Sequence, residues 1–242
     1  MNSEIETPVP APAPEPGRYS VPWKPIDNWI GLLLLVLIYG GLFWYAQHGD
    51  RHQLAQSALL VVVQLSFLLP VIIIFAWRKI SWRAIGFGRF ELSTLAIGCG
   101  LLIAGYALIL LHNGILMLLK IETQGEQISQ LFGGLNSPLW FFGVGAILAP
   151  LVEEIFFRGF LFQGFRARYG WGRGLLLSSA IFGAAHLDPV ALIPTFILGC
   201  LLAYLYQRSN SIWPGVFFHV FINSLGLCTA YLVTQYPNLI PS

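Results

Sequence analysis

The sequence is poor in charge: only 10% of its residues are Asp, Glu, Lys or Arg, whereas 56% are hydrophobic. Soluble domains carry about 25% charged residues. A soluble globular domain is thereby excluded, and a multi-pass membrane protein is indicated. Cysteine is also scarce. Cys99, Cys200 and Cys228 each lie in an apolar run without metal-ligand spacing, and read as small buried packing residues. No G-x-S-x-G elbow is present, and no cysteine has a histidine partner in sequence, so no covalent nucleophile is marked. An H-E-x-x-H helix is absent too, which excludes an ordinary zincin. There is no internal duplication of the kind many transporters show. The 13 basic residues are spread over loops and form no patch, so nucleic acid is not expected as a partner.

What is present is a series of apolar runs behind a proline-rich tail. Residues 1–26 alternate Pro8, Pro10, Pro12, Pro14 and Pro16 with small residues, and read as an extended or disordered cytoplasmic tether. Runs of spanning length follow at 29–45, 55–77, 92–119, 138–165, 175–187, 190–206 and 212–233. They predict an all-α bundle of about seven transmembrane helices. The third run could break near His112-Asn113-Gly114, and an eighth crossing or re-entrant segment is left open. With the N-terminus cytoplasmic, ten basic residues fall in inner loops and two, Arg51 and Lys120, in outer ones. This follows the positive-inside rule and places the chain in the cell (inner) membrane. The eight tryptophans sit near run ends, as an aromatic belt would. Segment 80–90 reads as interfacial. The expected division is a tail over 1–26, N-terminal membrane helices over 27–137, a catalytic membrane core over 138–234 and a short tail over 235–242.

Within this apolar background a few polar groups recur at helical spacing. Glu153, Glu154 and Arg158 lie in the fourth run, where each charge at the bilayer centre costs roughly 2.5–3.5 kcal/mol on insertion scales. Glu154 and Arg158 are four apart and can pair, while Glu153 points about 100° away on a helix of 3.6 residues per turn. Phe182 with His186, and His219 with Asn223, repeat the four-residue spacing on two later runs. Taken singly, each has a structural reading: an ion pair, an interhelical hydrogen bond, or packing polarity. Taken together, a spare carboxylate, two histidines and an amide on three runs need a shared polar cavity. A buried carboxylate with a histidine can take a proton from water, and Asn and His side chains can donate to a developing oxyanion. Amide hydrolysis without a covalent intermediate fits that set.

The three motifs, E-E-x-x-x-R at Glu153-Glu154…Arg158, F-x-x-x-H at Phe182…His186 and H-x-x-x-N at His219…Asn223, resemble those of the CPBP intramembrane proteases. That family includes the type II CAAX prenyl endopeptidases and the Abi-like proteins of bacteriocin processing and self-immunity. The resemblance covers about 138–227 and implies an intramembrane endopeptidase acting on a membrane-associated, prenylated or leader peptide. It implies that Glu153 and His186 activate water, that His219 and Asn223 stabilise the oxyanion, and that Arg158 holds Glu154. It also implies a site open to the cytoplasm. Depth roughly agrees, since at 1.5 Å per residue Glu154 and Asn223 lie about 16–17 Å from the inner ends of their runs. Two chemistries go with the family: zinc held by Glu153, His186 and His219, or a metal-free, glutamate-activated water. The alternatives are a non-catalytic immunity or scaffold protein and a proton-coupled transporter, with the peptide or protein substrate and the lipid bilayer as the expected partners.

Overall fold

In lipid, backbone polar groups must be satisfied within the chain, so apolar runs of this length become helices. The computed structural model describes residues 19–48, 56–133 and 138–236, and among them there is no β-strand. Helix α1 spans Pro25–His48, and α2 runs from Gln56–Ser66 into Leu68–Arg78. Helix α3 is Ser93–Leu118, α4 is the short Gln124–Gly133, and α5 covers 138–169. Helices α6 (Trp171–Ala185), α7 (Leu192–Ser209) and α8 (Trp213–Gln235) complete the bundle. Each of the seven apolar runs carries a helix.

Five of these helices are long and apolar enough to cross a membrane: α1, α2, α3, α5 and α8. The remaining pair is short or polar-ended. Helix α6 has 15 residues, which at 1.5 Å per residue reach about 22 Å, less than the roughly 30 Å hydrocarbon layer. Helix α7 ends on Gln207-Arg208-Ser209. The two form the most extensive helix pairing of the bundle. Small residues permit it: Gly199 on α7 lies against Ser179 and Phe182 on α6, where a Cβ would be 3.0 Å from Ser179 Cβ.

The bundle has two distinguishable ends. At one, Asp27 accepts from Arg78 at 2.7 Å, and Gln163 donates to Ala84 O at 2.7 Å. There too Tyr206 Oη donates to Ile85 O at 3.0 Å, and Arg166 reaches Gln207 and Asn210 at 3.1 and 3.0 Å. Lys24, Arg78, Lys79, Arg83, Arg89, Arg166, Arg168, Arg173 and Arg208 all belong to this end. At the opposite end His112 Nε2 lies 3.2 Å from Val190 O, and Thr234 Oγ1 donates to Ser129 O at 3.0 Å, tying α8 to α4. Lys120 is the only Lys or Arg there among the described residues.

Several expectations change. Helix α3 continues unbroken through His112-Asn113-Gly114. Segment 80–90 does not simply lie on the interface: its 3-10 turn Trp82–Ile85 places Ile85 fully inside the core. Trp23 is no belt residue but is 4% exposed, its Nε1 donating to Asn28 Oδ1 at 2.9 Å. The end of the proline-rich stretch is therefore docked, while residues 1–18 lie outside the described ones. Cys99 and Cys228 are exposed on the bundle's exterior, not packed within it.

Asn28 holds α1 to α5. Its Nδ2 donates to Leu161 O at 2.9 Å, and a Cβ at Gly164 would collide with the Asn28 amide. Asn28→Ala strips Trp23 and Leu161 of buried partners and should destabilise the fold by about 1–3 kcal/mol, read as a lower melting temperature in detergent.

Candidate active site

The site is assembled on a distorted helix. Pro150 has no N–H to give, and its ring clashes with the carbonyl four residues back. Just before it the backbone widens into a π-segment, Gly143–Leu148, in which Ala149 N–H reaches Val144 O. A second π-segment, Glu154–Phe162, begins directly after Glu153. Such segments shift side chains out of ordinary helical register and recur at functional sites.

On this helix Glu154 is fully buried, and its Oε1 accepts from Arg158 Nη1 at 2.7 Å. Arg158 is 2% exposed and also donates from Nη2 to Gly199 O at 3.4 Å. Its guanidinium sits 4.3 Å from the centre of the Phe182 ring. That ring also meets His186 and His219 edge-on, with centroids 5.0 and 5.7 Å away. Phe182 is thus a platform on which the arginine and both histidines rest. Glycine at 215 is required here, because a Cβ would run into Glu154 Oε2.

His219 stands between the two carboxylates. Its Nδ1 is 3.2 Å from Glu154 Oε1, and its Nε2 is 3.7 Å from Glu153 Oε2. The first is a hydrogen bond. The second is too long for one, and a water touching both atoms would lie to the side of the line joining them. Glu153 is not paired with Arg158; it faces a cavity of about 690 Å³. His186, His219 and Asn223 line the same cavity. Asn223 Nδ2 donates to Gly145 O at 2.9 Å, which leaves its second N–H free to donate. His186 Nδ1 is held 2.9 Å from Phe182 O by its own helix, so Nε2 is the nitrogen left for the cavity.

Of the sequence-predicted set, Glu153, Glu154, Arg158, Phe182 and His219 are brought into one contact network, which His186 joins through Phe182. Asn223 shares only the cavity. Among the described residues His186 makes no ion pair with either glutamate. No three His, Cys, Asp or Glu side chains converge as the ligands of a metal ion among the described residues. The arrangement Glu153, His186 and His219 therefore does not fit zinc as placed, and no step is derived through a metal.

One residue escaped the sequence reading. Tyr39 of α1 lies beside Ser66 and within electrostatic reach of Glu153. Its signal was a lone hydroxyl in the otherwise aliphatic stretch before Gly40. For Gln64 and Ser66 of α2 the sequence leaves open whether they line the cavity or bond to backbone. Gln64 lines it, its buried Oε1 without a partner among the described residues, and Ser66 Oγ donates to Val63 O at 2.6 Å.

Residues 135–225 match the family described as "Type II CAAX prenyl endopeptidase Rce1-like". A Bacillus subtilis (strain 168) protein named "Putative membrane peptidase YdiL" is 27% identical over 206 residues, 82% of this chain and 82% of that protein. An "Uncharacterized 24.3 kDa protein" of Escherichia coli is 37% identical over 86 residues, 34% of this chain and 40% of that protein. No solved structure matches.

Proposed function

We propose, for a chain that belongs to the CPBP/CAAX protease family, an intramembrane endopeptidase in which Glu153 is the group that activates water. The observation that carries this is the division of labour between adjacent carboxylates. Glu154 is consumed by Arg158 and His219, whereas Glu153 faces the cavity and, among the described residues, has His219 Nε2 at 3.7 Å as its one ion-pair contact. A water on the cavity side of Glu153 Oε2 and His219 Nε2 can reach both a proton acceptor and an orienting nitrogen. Glu154, fixed by Arg158, sets the orientation of the imidazole through Nδ1, the part a carboxylate plays behind a catalytic histidine.

The scissile carbonyl would lie against Asn223, whose free amide N–H is aimed at the charge that develops on oxygen. Glu153, which holds the proton taken from water, returns it to the departing amine, and His186 Nε2, lining the same cavity, accepts a hydrogen bond from that amine as it leaves. This shifts the water-positioning part from His186 to His219, whose Nε2 is 3.7 Å from Glu153. The substrate is a peptide segment of a membrane-associated or prenylated protein, since most of the lining, including Leu102, Ile109, Phe141 and Leu201, is apolar. The chain sits in the cell membrane with its N-terminus in the cytoplasm, a reading that the basic end of the bundle supports.

The test is cleavage of a quenched peptide library by the purified protein in nanodiscs, with and without a zinc chelator. The expected result is turnover that persists under chelation. Loss of turnover restored by zinc would replace the glutamate-activated water with metal chemistry. Absence of turnover on both the library and intact membrane-protein substrates would favour a scaffold.

A further inference from the structure

The cavity does not lie in the half of the bundle that the basic loops occupy. Its lining comes from the first half of α2 (Leu60, Gln64), from α4 (Gln124, Ile128), and from the part of α8 beyond His219 (Asn223, Leu227). Those positions belong to the end marked by the His112–Val190 and Thr234–Ser129 bonds. Toward the other end the way is blocked. Directly beyond Glu154 the α5 ring cluster Phe156, Phe157 and Phe160 packs against Val71, Ile74, Phe75 and Ile85, every member at most 2% exposed. Below it Gln163 and Tyr206 close the seam by bonding to the 84–85 carbonyls. From Glu154 to Arg166 this plug is about 18 Å deep at 1.5 Å per residue.

The basic end carries nine of the eleven described Lys and Arg residues; Arg158 is buried mid-helix and Lys120 is at the other end. Positive charge of that asymmetry stays on the cytoplasmic side.

We propose that the site opens on the extracytoplasmic face, and that it takes an apolar peptide segment presented from that side of the membrane. This rests on the protease reading above and reverses the cytoplasmic opening implied by the family resemblance. The mouth suits such a segment, because its α4 rim presents Gln124, Gly125 and Ile128 with no fixed charge.

Two arms test the proposal separately from the chemistry. In a Cys99→Ala, Cys200→Ala, Cys228→Ala background, single cysteines are introduced as Ile128→Cys at the rim and Arg83→Cys in the basic loop. Intact cells are then treated with a membrane-impermeant maleimide. Thr123→Cys replaces Ile128→Cys if the latter fails to accumulate. The expected result is rim labelling at least ten-fold faster than loop labelling, inverted in inside-out vesicles. Loop labelling faster than rim labelling in intact cells, or equal rates, overturns the proposal.

In the second arm the wild type, in sealed right-side-out and inside-out vesicles, receives an impermeant quenched peptide library. Cleavage in right-side-out vesicles supports the proposal, and cleavage confined to inside-out vesicles overturns it. Rim labelling as expected with no cleavage from either side keeps the outward-facing cavity and rejects the protease reading.

Discussion

Arg158→Met is expected to destabilise the protein by about 3–5 kcal/mol, the range seen when one partner of a buried ion pair is removed. The reason is the isolation of Glu154. Its Oε2 already has no hydrogen-bond partner, and Oε1 depends on Arg158 at 2.7 Å and His219 at 3.2 Å. Without the guanidinium, a fully buried carboxylate retains a single histidine contact. Phe182 also loses the cation resting on its ring. In a chain of this length the penalty should lower the melting temperature by roughly 10 °C or more. Glu154→Gln combined with Arg158→Met removes both charges and should recover most of the loss, because a paired deletion leaves no orphaned charge. Tryptophan fluorescence melts of wild type, single variant and double variant read this out. A double variant no more stable than Arg158→Met would show that the arginine acts through packing alone.

His219→Ala is expected to lower turnover by roughly 10²–10⁴-fold, the usual worth of a positioned acid–base group. Among the described residues, the imidazole is the one side chain paired with both glutamates, through Nδ1 at 3.2 Å and Nε2 at 3.7 Å. Its removal leaves the water with one anchor and leaves Glu154 with one partner, so a smaller loss of stability should accompany the kinetic effect. His186→Ala is the informative contrast. His186 is exposed and hydrogen-bonded to its own helix, so its removal should reduce turnover while leaving the melting temperature unchanged. Steady-state kinetics on a single cleaved library peptide separates the two histidines. A His219→Ala enzyme with wild-type kcat would remove the imidazole from the reaction.

The site's composition was legible because four-residue spacing survives folding. Glu154 meets Arg158, Phe182 meets His186, and His219 shares a helix face with Asn223, as one-dimensional spacing implies. The bridging position of His219 was not legible. It depends on how α8 crosses α5, and on a π-segment whose widened turns no residue pattern announces. The direction of the cavity was equally hidden, because depth counted along straight runs cannot show which half of a bundle is packed with aromatic rings. Composition also failed to separate lipid-facing from protein-facing apolar surface: Cys99 and Phe218 both lie in hydrophobic runs, yet one is exposed and the other is 2% exposed. Helix α4 was missed since its ten residues, with Gln124, Glu126, Gln127 and Gln130 among them, are too few and too polar to read as a span. Membrane character, by contrast, rests on overall apolarity and was readable throughout.

The central claim is that Glu153, and not its neighbour, activates water. The most direct measurement is turnover of one library peptide by wild type and Glu153→Gln in the same nanodisc preparation, with melting temperatures recorded alongside. Turnover is expected to fall by at least about 10²-fold with the melting temperature unchanged, because Glu153 faces the cavity and its contact with the buried His219, at 3.7 Å, is longer than a hydrogen bond. Wild-type turnover in Glu153→Gln would contradict it.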